Sequence, residues 1–138
     1  MSSILFTFPA KNPIEPELLQ ALPIEKGAFT IDHFPDAETY VRVDSDVKNK
    51  KVWLLTNLHK PDEKLSGLYF LAATLKDLGA AEVNLVAPYL PYMRQDKQFK
   101  PGEGITSGYF ARYIELFADR LITIEPHLHR WPSLDALY

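Results

Sequence analysis

Short apolar segments, separated by prolines and polar turns, run along the chain of 138 residues. In the first third, alternating apolar and polar positions are typical of half-buried strands, and a segment with proline in its first turn is typical of a short helix. The predicted strands are Ile4–Phe8, Ala28–Phe34 and Thr39–Val43, and the predicted helix is Glu15–Leu22. The last two strands flank the turn Pro35-Asp36-Ala37, so we expect them to form an antiparallel pair.

From Lys51 onward, continuous apolar runs alternate with segments of helical periodicity. A continuous apolar run is expected for a strand that is covered on both faces. The predicted elements are buried strands at Val52–Leu55, Val83–Ala87 and Leu121–Ile124, a helix at Asp62–Leu78 that stops at Gly79, and a helix that begins at Thr106 or Ser107. This order predicts a three-layer α/β fold with a mostly parallel sheet and helices on both faces.

Polar and charged residues gather where the three predicted buried strands end. In open parallel sheets, ligands bind beyond the carboxyl ends of the strands. The segments found there are Thr56–His59, Tyr89–Lys100 and Glu125–His129. The sequence therefore places its unusual residues where this architecture would place a site.

The loop from Pro88 to Lys100 is the strongest candidate among these segments. Arg94 offers a planar fork of donors that suits phosphate, and Gln95 can pair with a base edge or a sugar hydroxyl. Asp96 follows them, and Lys97 and Lys100 add positive charge. A solvated polar connection is the simpler interpretation, but a loop of this length in a compact domain is more often functional.

A second candidate is the segment with Glu125, His127 and His129. If this segment is extended, the three side chains point to the same side and could hold zinc or iron. A single histidine beside phosphates would instead suit Mg²⁺ through water. An ordinary polar surface is the third interpretation, and the residues alone do not separate the three.

Composition excludes several classes of protein. The chain has no cysteine, which excludes disulfides, thiol catalysis and cysteine-ligated metals, and its net charge of −3 gives no general attraction for nucleic acid or anionic membranes. Without a signal peptide or a long apolar run, we expect a cytoplasmic protein. There is no P-loop, dinucleotide fingerprint or nucleophile elbow, and a standard kinase or dehydrogenase is therefore disfavoured.

Three motifs together resemble the amino-terminal half of ribose-phosphate pyrophosphokinases (phosphoribosyl pyrophosphate synthetases). They are Phe34-Pro35-Asp36-Ala37-Glu38, Pro88-Tyr89-Leu90-Pro91-Tyr92-Met93-Arg94-Gln95-Asp96 and Thr123-Ile124-Glu125-Pro126-His127. On physical grounds alone the first motif is a simple hairpin turn with solvated carboxylates. The resemblance implies a phosphoribosyltransferase-like fold and transfer of diphosphate from MgATP to ribose 5-phosphate, which releases AMP.

The resemblance also implies roles for individual residues. Arg94 and Gln95 would contact ATP, with Asp96, Lys97 and Lys100 as possible further contacts. His127 would help to hold Mg²⁺, with possible help from Glu125 and His129. Phe34, Asp36 and Glu38 would reach the adenine in the site of a neighbouring subunit, so a homo-oligomer is expected.

The sequence departs from the family pattern at several positions. Ala37 stands where glycine is usual, and Glu125 and Pro126 stand where aspartate and leucine are usual. Family members are about twice as long, in line with a second domain of typical size. We therefore expect residues 1–138 to be an ATP-side domain, inactive alone and without the carboxy-terminal domain that binds ribose phosphate. A non-catalytic regulatory or assembly partner with this fold and a metal-dependent hydrolase remain alternatives.

Overall fold

Seven strands and three α-helices make up the chain, and the computed structural model describes all of residues 1–138. The strands are β1 (Ser3–Phe8), β2 (Glu25–Lys26), β3 (Phe29–His33), β4 (Thr39–Val43), β5 (Lys51–Thr56), β6 (Glu82–Val86) and β7 (Arg120–Ile122). The helices are α1 (Glu15–Ala21), α2 (Leu65–Asp77) and α3 (Thr106–Glu115), with short 3-10 turns at Pro61–Lys64 and Leu134–Ala136. No helix has both the length and the apolar character needed to cross a bilayer.

Five of the strands form one parallel sheet in the order β2-β1-β5-β6-β7. Strands β3 and β4 form a separate antiparallel hairpin, in which Phe29 pairs with Val43 and His33 with Thr39. The predicted α/β class, the parallel sheet and the hairpin are therefore confirmed. Strand β2, with only two residues, has no apolar pattern and was not predicted.

The two faces of the sheet bury different sets of side chains, because successive residues of a strand point to opposite faces. The main core cluster joins alternate residues of β1 and β5 to α2, α3 and the residue Phe117 just beyond α3: Ile4, Phe6, Phe8, Val52, Leu54, Leu68, Leu71, Leu75, Phe110, Ile114 and Phe117. On the other face, Leu5 and Trp53 line a groove of about 280 Å³ with Leu18 of α1 and with Leu22, which directly follows that helix. The expected three layers are present.

A strand forms near the predicted Leu121–Ile124 segment, but the prediction that it is buried is wrong. Strand β7 spans Arg120–Ile122 at the edge of the sheet, where it has a strand neighbour only on the β6 side. Ile122 and Ile124 remain 48% and 64% exposed, and Ile122 lines the open groove that Leu18 of α1 does not close. An apolar run shows that a strand can be buried, but its place in the sheet decides whether it is.

The start of the helix predicted at Asp62–Leu78 also differs. Residues Pro61–Lys64 form a 3-10 turn and the α-helix begins at Leu65. The predicted stop at Gly79 is confirmed, since this residue has φ of 93° and its backbone N–H donates to the carbonyl oxygen of Lys76. Glycine adopts this left-handed conformation without the steric cost that a side chain brings.

Glu15, in the first turn of α1, gives a prediction for acid stability. Its carboxylate lies 2.9 Å from Lys26 Nζ with 12% of the side chain exposed. The Thr7 hydroxyl, followed by Lys26, holds the pKa of Glu15 below its usual value of 4.5, against the opposing effect of burial. A lowered pKa stabilises the folded state above the unfolded pKa, and this contribution is lost as pH falls through the folded pKa.

We therefore expect Glu15→Gln to lower the free energy of unfolding by about 1 kcal/mol at pH 7. The difference from wild type should shrink as the pH falls below 4.5 and through the lowered pKa of the folded carboxylate, which is then protonated in both states. Urea titrations at pH 7, 5 and 3.5 measure both effects. Glu17→Gln, on the exposed side of the same helix, is the control and should leave the pH profile unchanged. A constant difference at all three pH values would contradict the role of the charge.

Candidate functional site

The segments that follow β5, β6 and β7 meet at the carboxyl edge of the sheet. Thr56 Oγ1 donates a hydrogen bond to the carbonyl oxygen of Val86 at 3.1 Å, which joins the ends of β5 and β6. The backbone N–H of Ile124 donates to the carbonyl oxygen of Pro88 at 3.3 Å, which joins the segments after β6 and β7. The polar segments noted in the sequence therefore share one edge, as the parallel topology requires.

The loop after β6 is anchored by its apolar residues. Leu90 and Met93 are 5% and 3% exposed and belong to the core cluster, so they fix the backbone on both sides of Tyr92. Tyr92 has φ of 62°, an uncommon value for a residue with a side chain, and its hydroxyl donates to Asp62. Burial, together with the nearby Asp62 carboxylate, raises the pKa of Tyr92 and keeps the phenol protonated as a donor.

Hydrogen bonds within the loop brace the part that follows Arg94. Gln95 Nε2 donates to the carbonyl oxygen of Lys97 at 2.9 Å, and the Gln95 carbonyl oxygen accepts from the N–H of Ser107 at 3.3 Å. Glu103 accepts from the N–H of Lys100 at 2.6 Å. The Gln95 side chain is thus partly used inside the loop, whereas Arg94 is exposed and has no such contact.

Asp96 lies inside the domain, although the sequence suggested a loop contact to a ligand. Its side chain is 3% exposed, and its Oδ1 accepts from Arg130 Nε at 3.0 Å. Lys97 and Lys100 are exposed, and Lys97 Nζ lies 5.0 Å from the centre of the Phe99 ring. The cations therefore remain available at the surface, while the carboxylate is occupied by an internal partner.

The segment Glu125–His129 does not form the three-ligand arrangement that an extended chain would give. Glu125 has φ of 46°, which breaks the alternation of side chains along the segment. The rings of His127 and His129 stack in parallel, with their centres 5.5 Å apart and their planes 1° from each other. No group of three or more His, Cys, Asp or Glu side chains lies close enough to hold a metal ion.

The tip of the β3–β4 hairpin projects away from the core. Phe34 is 51% exposed and its ring packs edge-on against Tyr40 at 5.8 Å, while Asp36 and Glu38 are exposed. Ala37 has φ of 72°, the left-handed conformation that glycine adopts more easily. The backbone at Ala37 therefore has the conformation that favours glycine, the residue usual at this position in the family. The tip presents its aromatic ring and carboxylates outward.

The sequence patterns did not identify two side chains that contact the loop. Asp62 accepts from Tyr92, and Arg130 pairs with Asp96 across 34 positions of the chain. Arg130 stands directly after the histidine segment. The only signal for either pair was the presence of a charged residue near a strand end, which does not identify the partner.

An open parallel α/β domain with a braced cationic loop at its carboxyl edge belongs to the class that binds ligands across the strand ends. A family model described as the N-terminal domain of ribose phosphate pyrophosphokinase matches residues 3–117. The chain belongs to this family, as its three motifs indicated.

Comparisons with individual proteins agree with this assignment. The chain is 36% identical over 120 residues to the ribose-phosphate pyrophosphokinase of Saccharolobus solfataricus, covering 86% of this chain and 41% of that protein. The crystal structure of phosphoribosylpyrophosphate synthetase from Mycobacterium smegmatis matches with a TM-score of 0.80 at 25% identity, over 89% of this chain and 42% of that one. The chain thus spans about two fifths of these relatives.

A more distant likeness concerns the fold alone. The hypoxanthine phosphoribosyltransferase of Trypanosoma cruzi matches with a TM-score of 0.50 at 10% identity, over 92% of this chain and 63% of that one. The expected phosphoribosyltransferase-like fold is in agreement with this match.

Proposed function

We propose that residues 1–138 form the MgATP-binding domain of a ribose-phosphate diphosphokinase. The whole reaction would transfer the diphosphate of ATP to the 1-hydroxyl of ribose 5-phosphate, giving phosphoribosyl pyrophosphate and AMP. The observation that carries the proposal is the exposed Arg94 on a braced loop at the carboxyl edge, in a chain that belongs to this family. Ribose 5-phosphate would bind to a second domain outside these residues, so this domain alone would bind nucleotide without forming product.

The loop suits a reaction that depends on positioning and on neutralising charge rather than on a covalent nucleophile. Arg94 would donate to the phosphates of ATP, and the bonds between Gln95, Lys97 and Ser107 would hold its backbone in place. Because Gln95 Nε2 donates within the loop, its side-chain oxygen is the atom left to accept from ATP. Lys97 and Lys100 would add positive charge at the rim, and Asp96 would act inside the domain.

Mg²⁺ would neutralise part of the phosphate charge when it is bound. Mg²⁺ prefers oxygen ligands and keeps several waters, so the exposed imidazole of His127 fits an outer position beside the nucleotide phosphates. His129 and Glu125 could support it through water. The convergence of three protein ligands that a metal-dependent hydrolase would need is not formed.

The hairpin tip would complete the site of a neighbouring subunit in a homo-oligomer. The exposed ring of Phe34 offers a flat apolar surface for adenine, and Asp36 and Glu38 offer acceptors for its amino group. As a metabolic enzyme related to the ribose-phosphate pyrophosphokinases, the whole protein would act in the cytoplasm.

Removal of the exposed guanidinium tests the proposal. Arg94→Ala should raise the Kd for MgATP by about 10- to 100-fold, because hydrogen bonds to charged groups contribute about 1.5–3 kcal/mol. Titration calorimetry of the 138-residue chain with MgATP measures the change. Arg112→Ala is the matched control, since Arg112 also carries an exposed guanidinium but lies on α3 over the ring of Tyr109.

The alternatives give different results in the same titration. Binding that is unaffected by Arg94→Ala would place the nucleotide elsewhere on the domain. Failure of the wild-type chain to bind MgATP at millimolar concentration would favour the non-catalytic partner instead.

A further inference from the structure

Arg130 connects the loop that follows β6 to the segment that follows β7. Its Nε donates to Asp96 Oδ1 at 3.0 Å, within the loop that carries Arg94. Its own backbone directly follows the segment with His127 and His129. One side chain therefore joins the predicted phosphate contacts to the predicted Mg²⁺ segment.

The burial of the two partners is unequal, and this makes the contact important for the loop. The Asp96 side chain is 3% exposed, whereas that of Arg130 is 38% exposed. A carboxylate with almost no contact with water needs a charged partner or several donors, and Arg130 forms an ion pair with Asp96. Without Arg130 the loop would have to move until Asp96 regained water.

A second contact of the same guanidinium lies farther along the loop. The Arg130 Cζ atom is 5.4 Å from the centre of the Phe99 ring, within the range of a cation–π contact. Phe99 is 53% exposed, so the core does not account for its position. Arg130 thus contacts the loop at two residues, on both sides of Lys97.

We propose that Arg130 is a positioning residue, which holds the Arg94–Lys100 loop against the His127 segment through the ion pair with Asp96. Arg130 acts through Asp96 and Phe99 and need not touch a ligand. The ordering of the loop follows from the contacts alone, and only the effect on MgATP rests on the proposed function.

Amide hydrogen exchange followed by NMR tests the ordering directly. The backbone amides of Lys100, Glu103 and Ser107 are hydrogen bonded within the loop and report on its opening. Arg130→Met should speed their exchange by roughly ten-fold or more, a value reduced from that of a fully buried pair because Arg130 is partly in water. The amides of β1 and β5 should keep their wild-type rates, which shows that the fold is intact.

Two further variants separate the effect of the ion pair from a general loss of packing. Arg112→Met is the matched control, because Arg112 also lies over an aromatic ring, at 5.2 Å from Tyr109. It should leave the three loop amides unchanged. Asp96→Asn combined with Arg130→Met should return their exchange toward the wild-type rates, since the neutral amide no longer needs a cation.

The charge-retaining variant decides the outcome if Arg130→Met also loosens β1 and β5. Arg130→Lys should stay within about three-fold of the wild-type exchange rates, because the ammonium still pairs with Asp96. The proposal is overturned if Arg130→Lys behaves like Arg130→Met, if Arg130→Met leaves the loop amides unchanged, or if the double variant recovers nothing.

The last readout links the ordering to ligand binding. Arg130→Met should raise the Kd for MgATP by about five-fold, less than Arg94→Ala, since the phosphate contacts remain but must be ordered on binding. A loosened loop with an unchanged Kd would overturn the positioning role. If the wild-type chain binds no MgATP, the proposed function fails, and the exchange rates still decide whether Arg130 orders the loop.

Discussion

Replacing Phe6 with alanine is expected to lower the free energy of unfolding by about 4 kcal/mol, the largest effect of any change considered for this domain. Phe6 lies on strand β1, between β2 and β5 in the sheet, is fully buried, and packs against the Phe29 ring of the hairpin with the ring centres 6.2 Å apart. Removing the ring loses the free energy gained by burying it away from water, together with its van der Waals contacts. It also leaves a cavity between the sheet and the hairpin. A loss of this size approaches the total free energy of unfolding of a domain of ordinary stability.

Urea unfolding monitored by circular dichroism measures this change through the midpoint of the transition. The control is Phe70→Ala, which removes the same ring from α2 where the residue is 45% exposed. It should cost less than about 1 kcal/mol, because an exposed ring contributes little apolar burial. Similar losses in the two variants would mean that Phe6 does not hold the hairpin to the sheet.

The second large effect is expected at Gly27, where even one methyl group has no room. A Cβ atom at this position would lie 2.6 Å from two carbons of the Phe6 ring, far inside van der Waals contact. The ring cannot move away freely because it is fully buried against Phe29. We expect Gly27→Ala to destabilise the domain by about 2–3 kcal/mol, as overpacking does in a dense core.

A double variant and a matched glycine test the cause. Phe6→Leu in the Gly27→Ala background should recover part of the loss, because the shorter side chain vacates the position of the ring. Gly108→Ala is the control, since nothing lies within 4 Å of a Cβ at that position in α3, and it should stabilise the helix by about 0.5 kcal/mol. If Gly27→Ala destabilised the domain no more than Gly108→Ala does, the Phe6 ring would not pack against Gly27 as described.

The order of elements could be predicted because it rests on local patterns. Val52–Leu55 is apolar throughout and becomes the central strand β5, and the alternating segments around Pro35 become the β3–β4 hairpin. The stop of α2 at Gly79 follows from the conformational freedom of a single residue. Each of these signals lies within a few positions of the chain.

Other features could not be predicted because they depend on distant parts of the chain. The exposure of Ile122 depends on the place of β7 at the edge of the sheet, and strand β2 forms where β1 offers it a partner. The site shows the same division. The position of Arg94 at the carboxyl edge followed from topology, whereas the pairing of Asp96 with Arg130 is a contact between residues 34 positions apart.

The 3.3 Å hydrogen bond from the Ser107 N–H to the Gln95 carbonyl oxygen brings both ends of the loop together. Apart from Asp96, which is anchored inside the domain, the residues between these two points extend over the surface and return to the same place, so their number is largely independent of the sheet below. Doubling the length of such an excursion costs only about 0.6 kcal/mol in closure entropy. Relatives of this domain could therefore gain or lose residues here and change how far the loop reaches, while the strands and the Arg94 position stay where they are.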